Sequence, residues 1–89
     1  MSDTQPVNNQ FHLTIVSPDN LIFEDDVKKL IAPGSTQDIA ILPDHTPLYS
    51  DLVKGEIEIT LLNDQIQKIS IEGGIIRVKL NIVSIIIGF

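Results

Sequence analysis

An all-β fold, a two-layer sandwich or flattened barrel, follows from three features of this sequence. Apolar residues alternate at period two, the composition is aliphatic rather than aromatic, and turn residues recur at short intervals. Apolar residues make up 43% of the 89-residue chain and aromatics only 4%. Isoleucine dominates, and β-branched side chains suit a pleated, half-buried surface. Turn signals come at about the 8–12-residue spacing of sandwiches and barrels. The length holds one domain, burying about 60–65% of the surface exposed by the unfolded chain.

Residues 1 to 10, MSDTQPVNNQ, offer little to bury and read as a flexible leader, so the sandwich is expected over 11–89. FHLTIV places Phe11, Leu13 and Ile15 on one face and His12 and Thr14 on the other. SPDN is a turn. LIF can be a strand, whereas VKKLI is ambiguous because Val27, Leu30 and Ile31 also fit one helical face before Pro33-Gly34. DIAIL is a short strand feeding the segment LPDHTPL, and TPLYSDLVKG has mixed signals. EIEITLL alternates clearly, with Ile57, Ile59 and Leu61 opposite Glu56, Glu58 and Thr60. NDQ turns, IQKISI returns, and Gly73-Gly74 turns again. IIRVKL sets Ile76, Val78 and Leu80 opposite Arg77 and Lys79. IVSIII, apolar on both faces, is expected to be central or covered. This gives about eight or more short strands.

The charge balance is six basic against twelve acidic residues, a net of −6. That argues against nucleic acid and anionic lipid as direct partners, since both need clustered cations. Docking onto basic or neutral protein surfaces remains open. The absence of cysteine excludes disulfides and thiolate zinc sites, and weakly favours a reducing compartment. The N-terminal residues lack a signal-peptide pattern, and NIVSIIIGF is too short to span a bilayer.

Chemistry-bearing residues are few. His45 could act as a general base oriented by Asp44 or Asp38 and serving Ser35, Thr46 or Ser50, which would make a small hydrolase. No nucleophile motif accompanies it, and neighbours in an extended loop point in different directions. His12, His45, Asp25, Asp26 and Asp44 could ligate a metal, but none has zinc or calcium spacing. Gly34 and Gly73-Gly74 do not form a phosphate loop, so no cofactor is expected. LPDHTPL is instead a braced recognition surface. Pro43 and Pro47 fix their own φ angles and push Leu42 and Thr46 toward extended conformations, which lowers the entropy lost on docking.

Three stretches, HLTIVSPDNLIFEDDVKKLIAPG, DIAILPDHTPLYSDLVKGEIEI and SIEGGIIRVKLNIVSIII, together resemble the N-terminal β-sandwich domain of the epsilon subunit of F-type ATP synthases, the delta subunit of mitochondria. The likeness runs from about residue 11 to 87. It implies two packed sheets of five strands, about ten short and mostly antiparallel strands in all, with VKKLI as strand. It further implies a non-catalytic central-stalk subunit, peripheral on the cytoplasmic face of the inner (plasma) membrane. There it would clamp the gamma subunit, rest on the c-ring and couple ring rotation to gamma. By the same likeness the partner-binding residues are Asp38, Ile39, Leu42, Pro43, Asp44, His45, Thr46 and Pro47, with Asp38 at an acidic position that meets the ring. Gln37, Ala40 and Asp44 stand where the family often has glycine, and Lys54 replaces a common proline. The family usually continues into two C-terminal helices, which this sequence does not contain. An unrelated β-sandwich adaptor is the alternative.

Overall fold

The computed structural model describes residues 9–88. Eight strands follow one another: β1 (Phe11–Val16), β2 (Leu21–Ala32), β3 (Ile39–Ile41), β4 (Leu48–Leu52), β5 (Gly55–Leu61), β6 (Ile66–Ile71), β7 (Gly74–Lys79) and β8 (Ile82–Ile87). They form one continuous sheet in the order β4-β7-β8-β1-β2-β5-β6, with β3 paired to β2. The pairings are antiparallel except β1 with β8, which run parallel.

Eight strands replace the expected ten, and β2 supplies much of the reason. It is 12 residues long and serves both layers. Its first half pairs with β1, from Val27 against Phe11 to Leu21 against Val16. Its second half pairs with β5 on one side and β3 on the other. The register shifts between Val27 and Lys29, a bulge that lets one strand turn from one layer into the next. The sheet thereby curls on itself. Near its far end, Gly34 bridges Leu52 and the Val53 N–H donates to the Pro33 carbonyl at 2.8 Å.

The bulge also explains the ambiguity of VKKLI. An unbroken strand buries alternate residues, whereas Val27 and Leu30, three apart, are both fully buried. The extra residue imitates helical spacing inside a strand.

Inside the curl lies an aliphatic core. Leu13, Ile15, Val27, Leu30, Ile57, Ile59, Ile76, Val83 and Ile85 are closed to solvent, with Phe11 beside them. The alternation read from FHLTIV, EIEITLL and IIRVKL holds at Phe11, Leu13, Ile15, Ile57, Ile59, Ile76 and Val78. Leu80 departs from it, at 66% exposed. It lies past the end of β7, in the tight turn with Asn81, where no partner strand covers it. β8 is central, between β7 and β1, as its two-sided apolar sequence suggests.

Candidate partner-docking loop

The segment from Gly34 to Pro47 is divided by β3. Before it, Ser35, Thr36, Gln37 and Asp38 form an exposed loop. A Cβ on Gly34 would stand 2.4 Å from the Gln37 carbonyl oxygen and 3.0 Å from the Ile39 side chain. Glycine is what lets the loop close this tightly. After β3, Leu42 to Pro47 form a second loop. Asp38 and Asp44 therefore stand at opposite ends of a three-residue strand, about 10 Å long.

Leu42, Pro43, Asp44 and His45 make a tight turn, closed by the His45 N–H donating to the Leu42 carbonyl at 3.2 Å. Pro43 occupies the position where its fixed φ is preferred, and Asp44 follows with φ 64°. That is the pattern of a type II turn, whose third residue is normally glycine or asparagine. Asp44 thus holds a backbone conformation that glycine reaches without steric cost. Neither Gln37 nor Ala40, the other two glycine positions, has positive φ.

What holds Asp44 in that conformation lies 37 residues away. Its N–H donates to Asn81 Oδ1 at 2.8 Å, and Asn81 Nδ2 donates back to Asp44 Oδ1 at 2.8 Å. Asn81 itself has φ 56°, and its carbonyl accepts from the His12 N–H at 2.9 Å. One asparagine therefore ties together the 42–47 loop, the β7–β8 turn and the start of β1. The signal for it was available in the sequence, since asparagine in a two-residue turn tolerates the left-handed region. Its partner could not be read there.

The expected docking residues differ in exposure. Ile39 is half-buried and packs against the core, because β3 must present alternate side chains inward. Asp38, Asp44, Thr46 and Pro47 are exposed, as is Leu42 at 54%. Pro43 and His45 are half-buried. Leu42, Pro43 and Asp44 form one wall of an open groove of about 600 Å³, with Lys28, Lys29 and Thr60 opposite. Those two lysines were not among the candidates read from the sequence, and they bring positive charge beside an otherwise acidic loop. Lys28 is also held by Asp64 at 2.7 Å.

His45 does not assemble a catalytic site. Its Nδ1 lies 2.6 Å from the Thr46 carbonyl, which can only accept, so Nδ1 carries the proton. Asp44 is engaged by Asn81, and among the described residues no serine or threonine hydroxyl hydrogen-bonds to the His45 ring. Of the metal candidates, His12 and Asp26 do meet, but within an ion bridge. His12 Nε2 contacts Glu24 and Nδ1 contacts Asp26, each at 2.9 Å, and Gln10 donates to Asp26. Asp25 instead accepts from the Asp26 N–H.

Carboxylates only accept, so both contacts are made together by the imidazolium alone. The hydrogen bond to Glu24, and next that to Asp26, raises the His12 pKa above its ordinary 6.5. A raised folded-state value means that the contribution is complete below 6.5 and is lost as pH climbs through the raised value. The urea midpoint is therefore expected to fall as pH rises above 6.5, and His12→Gln should flatten that slope. Equal slopes in the two proteins would contradict the bridge. The effect is small because the bridge is solvent-facing.

This architecture has known relatives. Residues 10–88 match the family model "ATP synthase, Delta/Epsilon chain, beta-sandwich domain". The chain belongs to this family. It is 37% identical over 78 residues to the ATP synthase epsilon chain of Leptospira borgpetersenii, covering 88% of this chain and 61% of that one. To the epsilon chain of Desulfitobacterium hafniense it is 36% identical over 76 residues, covering 85% and 57%. The chain thus spans about three-fifths of the length of these relatives. Among solved structures, a chain of the Euglena gracilis mitochondrial ATP synthase superposes with a TM-score of 0.86 at 20% identity, over 96% of this chain and 54% of that one. A chain from the central stalk and c-ring of the Tetrahymena thermophila mitochondrial ATP synthase gives 0.72 at 14% identity, over 88% and 63%. At these identities the structural likeness speaks for the fold of this delta/epsilon-type domain.

Proposed function

We propose that this domain is a non-catalytic part of the central stalk of an F-type ATP synthase. There it couples rotation of the membrane c-ring to the gamma subunit during ion-driven ATP synthesis. The complex would place it on the cytoplasmic face of the inner (plasma) membrane as a peripheral component. The observation that carries this reading is the family match across residues 10–88.

The local geometry supports it. A stalk element must hold its shape under load, and the 42–47 turn is fixed by Pro43, by Asn81 and by its own hydrogen bond. Rigid loops lose little entropy on docking. Asp38, Leu42, Asp44, Thr46 and Pro47 offer an exposed contact surface, with Pro43 and His45 partly covered behind it and Ile39 anchoring it to the core.

Co-purification with the cognate gamma subunit tests the assignment: a co-eluting complex is expected, and its absence under native conditions would overturn the reading. Asp38→Lys tests the ring contact. Reversing one exposed rim charge should weaken binding to the c-ring by about tenfold while leaving the melting temperature unchanged. Normal coupling of proton flow to ATP synthesis in that variant would remove Asp38 from the contact.

A further inference from the structure

The outer face built by β7, β8, β1 and the first half of β2 has an ordered pattern. Strand pairing aligns three rows across it. Arg77, Ser84, Thr14 and Glu24 form the middle row. Lys79, Ile82, His12 and Asp26 form the row on one side of it. Ile75, Ile86, Val16 and Leu21 form the row on the other. Both cations lie on β7 and both carboxylates on β2, three strand spacings or about 14 Å apart. Among the described residues Arg77 and Lys79 make no ion pair, while His12 lies between Glu24 and Asp26. Apolar side chains lie open between the charges, with Ile82 at 55% and Ile86 at 43% exposed. A groove of about 450 Å³ runs across Thr14, Val16, Ile75, Arg77, Ser84 and Ile86.

We propose that two copies of this chain associate through this face, about a twofold axis parallel to the strands and lying between β8 and β1. Rotation about that axis carries β7 of one copy over β2 of the other at the same height along the strands. Arg77 then meets the partner's Glu24, Lys79 meets the partner's Asp26, and the isoleucine row meets its own reverse. A twofold axis across the strands would instead stack Arg77 on the partner's Arg77, so the charge pattern selects the axis. The face is self-complementary, as an isologous interface requires.

Its area sets the strength. The four strands, at about 4.8 Å each, span about 19 Å, and five residues along each about 17 Å, a footprint of about 300–400 Å² per copy. That is well below the roughly 800 Å² per partner of stable complexes, so the dimer is weak, with Kd on the order of 100 μM. Such a contact would shelter the apolar face of the free chain and open readily to other partners.

Sedimentation velocity and ¹⁵N–¹H spectra of the chain from about 20 μM to about 1 mM test this. Dimer growth is expected, with shifts concentrated at Thr14, Glu24, Arg77 and Ser84, weakening several-fold at about 0.5 M salt. Arg77→Glu and Glu24→Arg should each abolish self-association, since both of their homodimers place like charges together. Mixing the two variants restores both contacts and should recover the dimer. A monomer at about 1 mM, shifts confined to the free edge of β6, or a mixture that stays monomeric would each overturn the proposal.

Discussion

Replacing Asn81 by alanine is expected to lower the melting temperature by about 12–24 °C, the loss arising mainly around the 42–47 loop. Two effects add. Asn81 makes a reciprocal pair of hydrogen bonds with Asp44, each at 2.8 Å. Their net contribution is about 1 kcal/mol apiece. Asn81 also holds φ at 56°, where alanine costs about 1–2 kcal/mol more than a residue suited to the left-handed region. The sum, about 3 kcal/mol, converts at about 4–8 °C per kcal/mol for a domain of this size. Asn81→Gly separates the two, keeping the backbone freedom and losing only the hydrogen bonds, and should cost roughly half as much. Amide exchange supplies a local readout: the Asp44 N–H, now donating to Asn81 Oδ1, should exchange much faster in both variants. Unchanged exchange at Asp44 would show that other contacts hold the loop. If the loop binds the stalk partners, the same variants should bind gamma more weakly even below their melting temperatures, because the docking conformation is no longer pre-formed.

Gly74→Ala is expected to destabilise by about 2–4 kcal/mol, through packing alone. Gly74 is buried in the sheet between β4 and β8, paired with Leu52 on one side and Ile87 on the other. An added Cβ would lie 2.4 Å from the Ile86 carbonyl oxygen and 3.2 Å from Ile87 Cγ2. The first obstacle is backbone, and β8 is pinned by β1 on its far side, so the strand cannot step back without breaking a second pairing. A chain of this length has about 4–13 kcal/mol of stability in total, so the loss is a large fraction. Thermal and urea unfolding by far-UV circular dichroism would measure it. A melting temperature within a few degrees of the parent would mean that β8 yields where its neighbours suggest it cannot.

The candidate site was partly legible before the fold was known. Two prolines four residues apart, Pro43 and Pro47, announce a braced loop, and Pro43 does occupy the turn position where its ring is preferred. The left-handed φ of 64° at Asp44 was not read from the sequence. Other parts were out of reach. Ile39 looks like any loop-flanking apolar residue until β3 pairs with β2 and packs it against the core. Lys28 and Lys29 are separated from Leu42 by more than a dozen positions and join its groove only because β2 bulges there. His45 read alone invites a catalytic role. Its hydrogen bond to the Thr46 carbonyl makes it part of the loop's own structure.

Covalent geometry makes side chains alternate along any extended strand, so FHLTIV, EIEITLL and IIRVKL determined by themselves which face each strand would bury. Composition likewise decided for sheet over helix. Tertiary structure decided what depends on residues distant in the chain. It made β1 and β8 parallel, bent β2 at a bulge so that eight strands suffice, left Leu80 in a turn outside the core, and joined Asn81 to Asp44. Periodicity describes one segment at a time. Pairing, curvature and long-range hydrogen bonds arise only when segments meet, because each is set by the shape of the other.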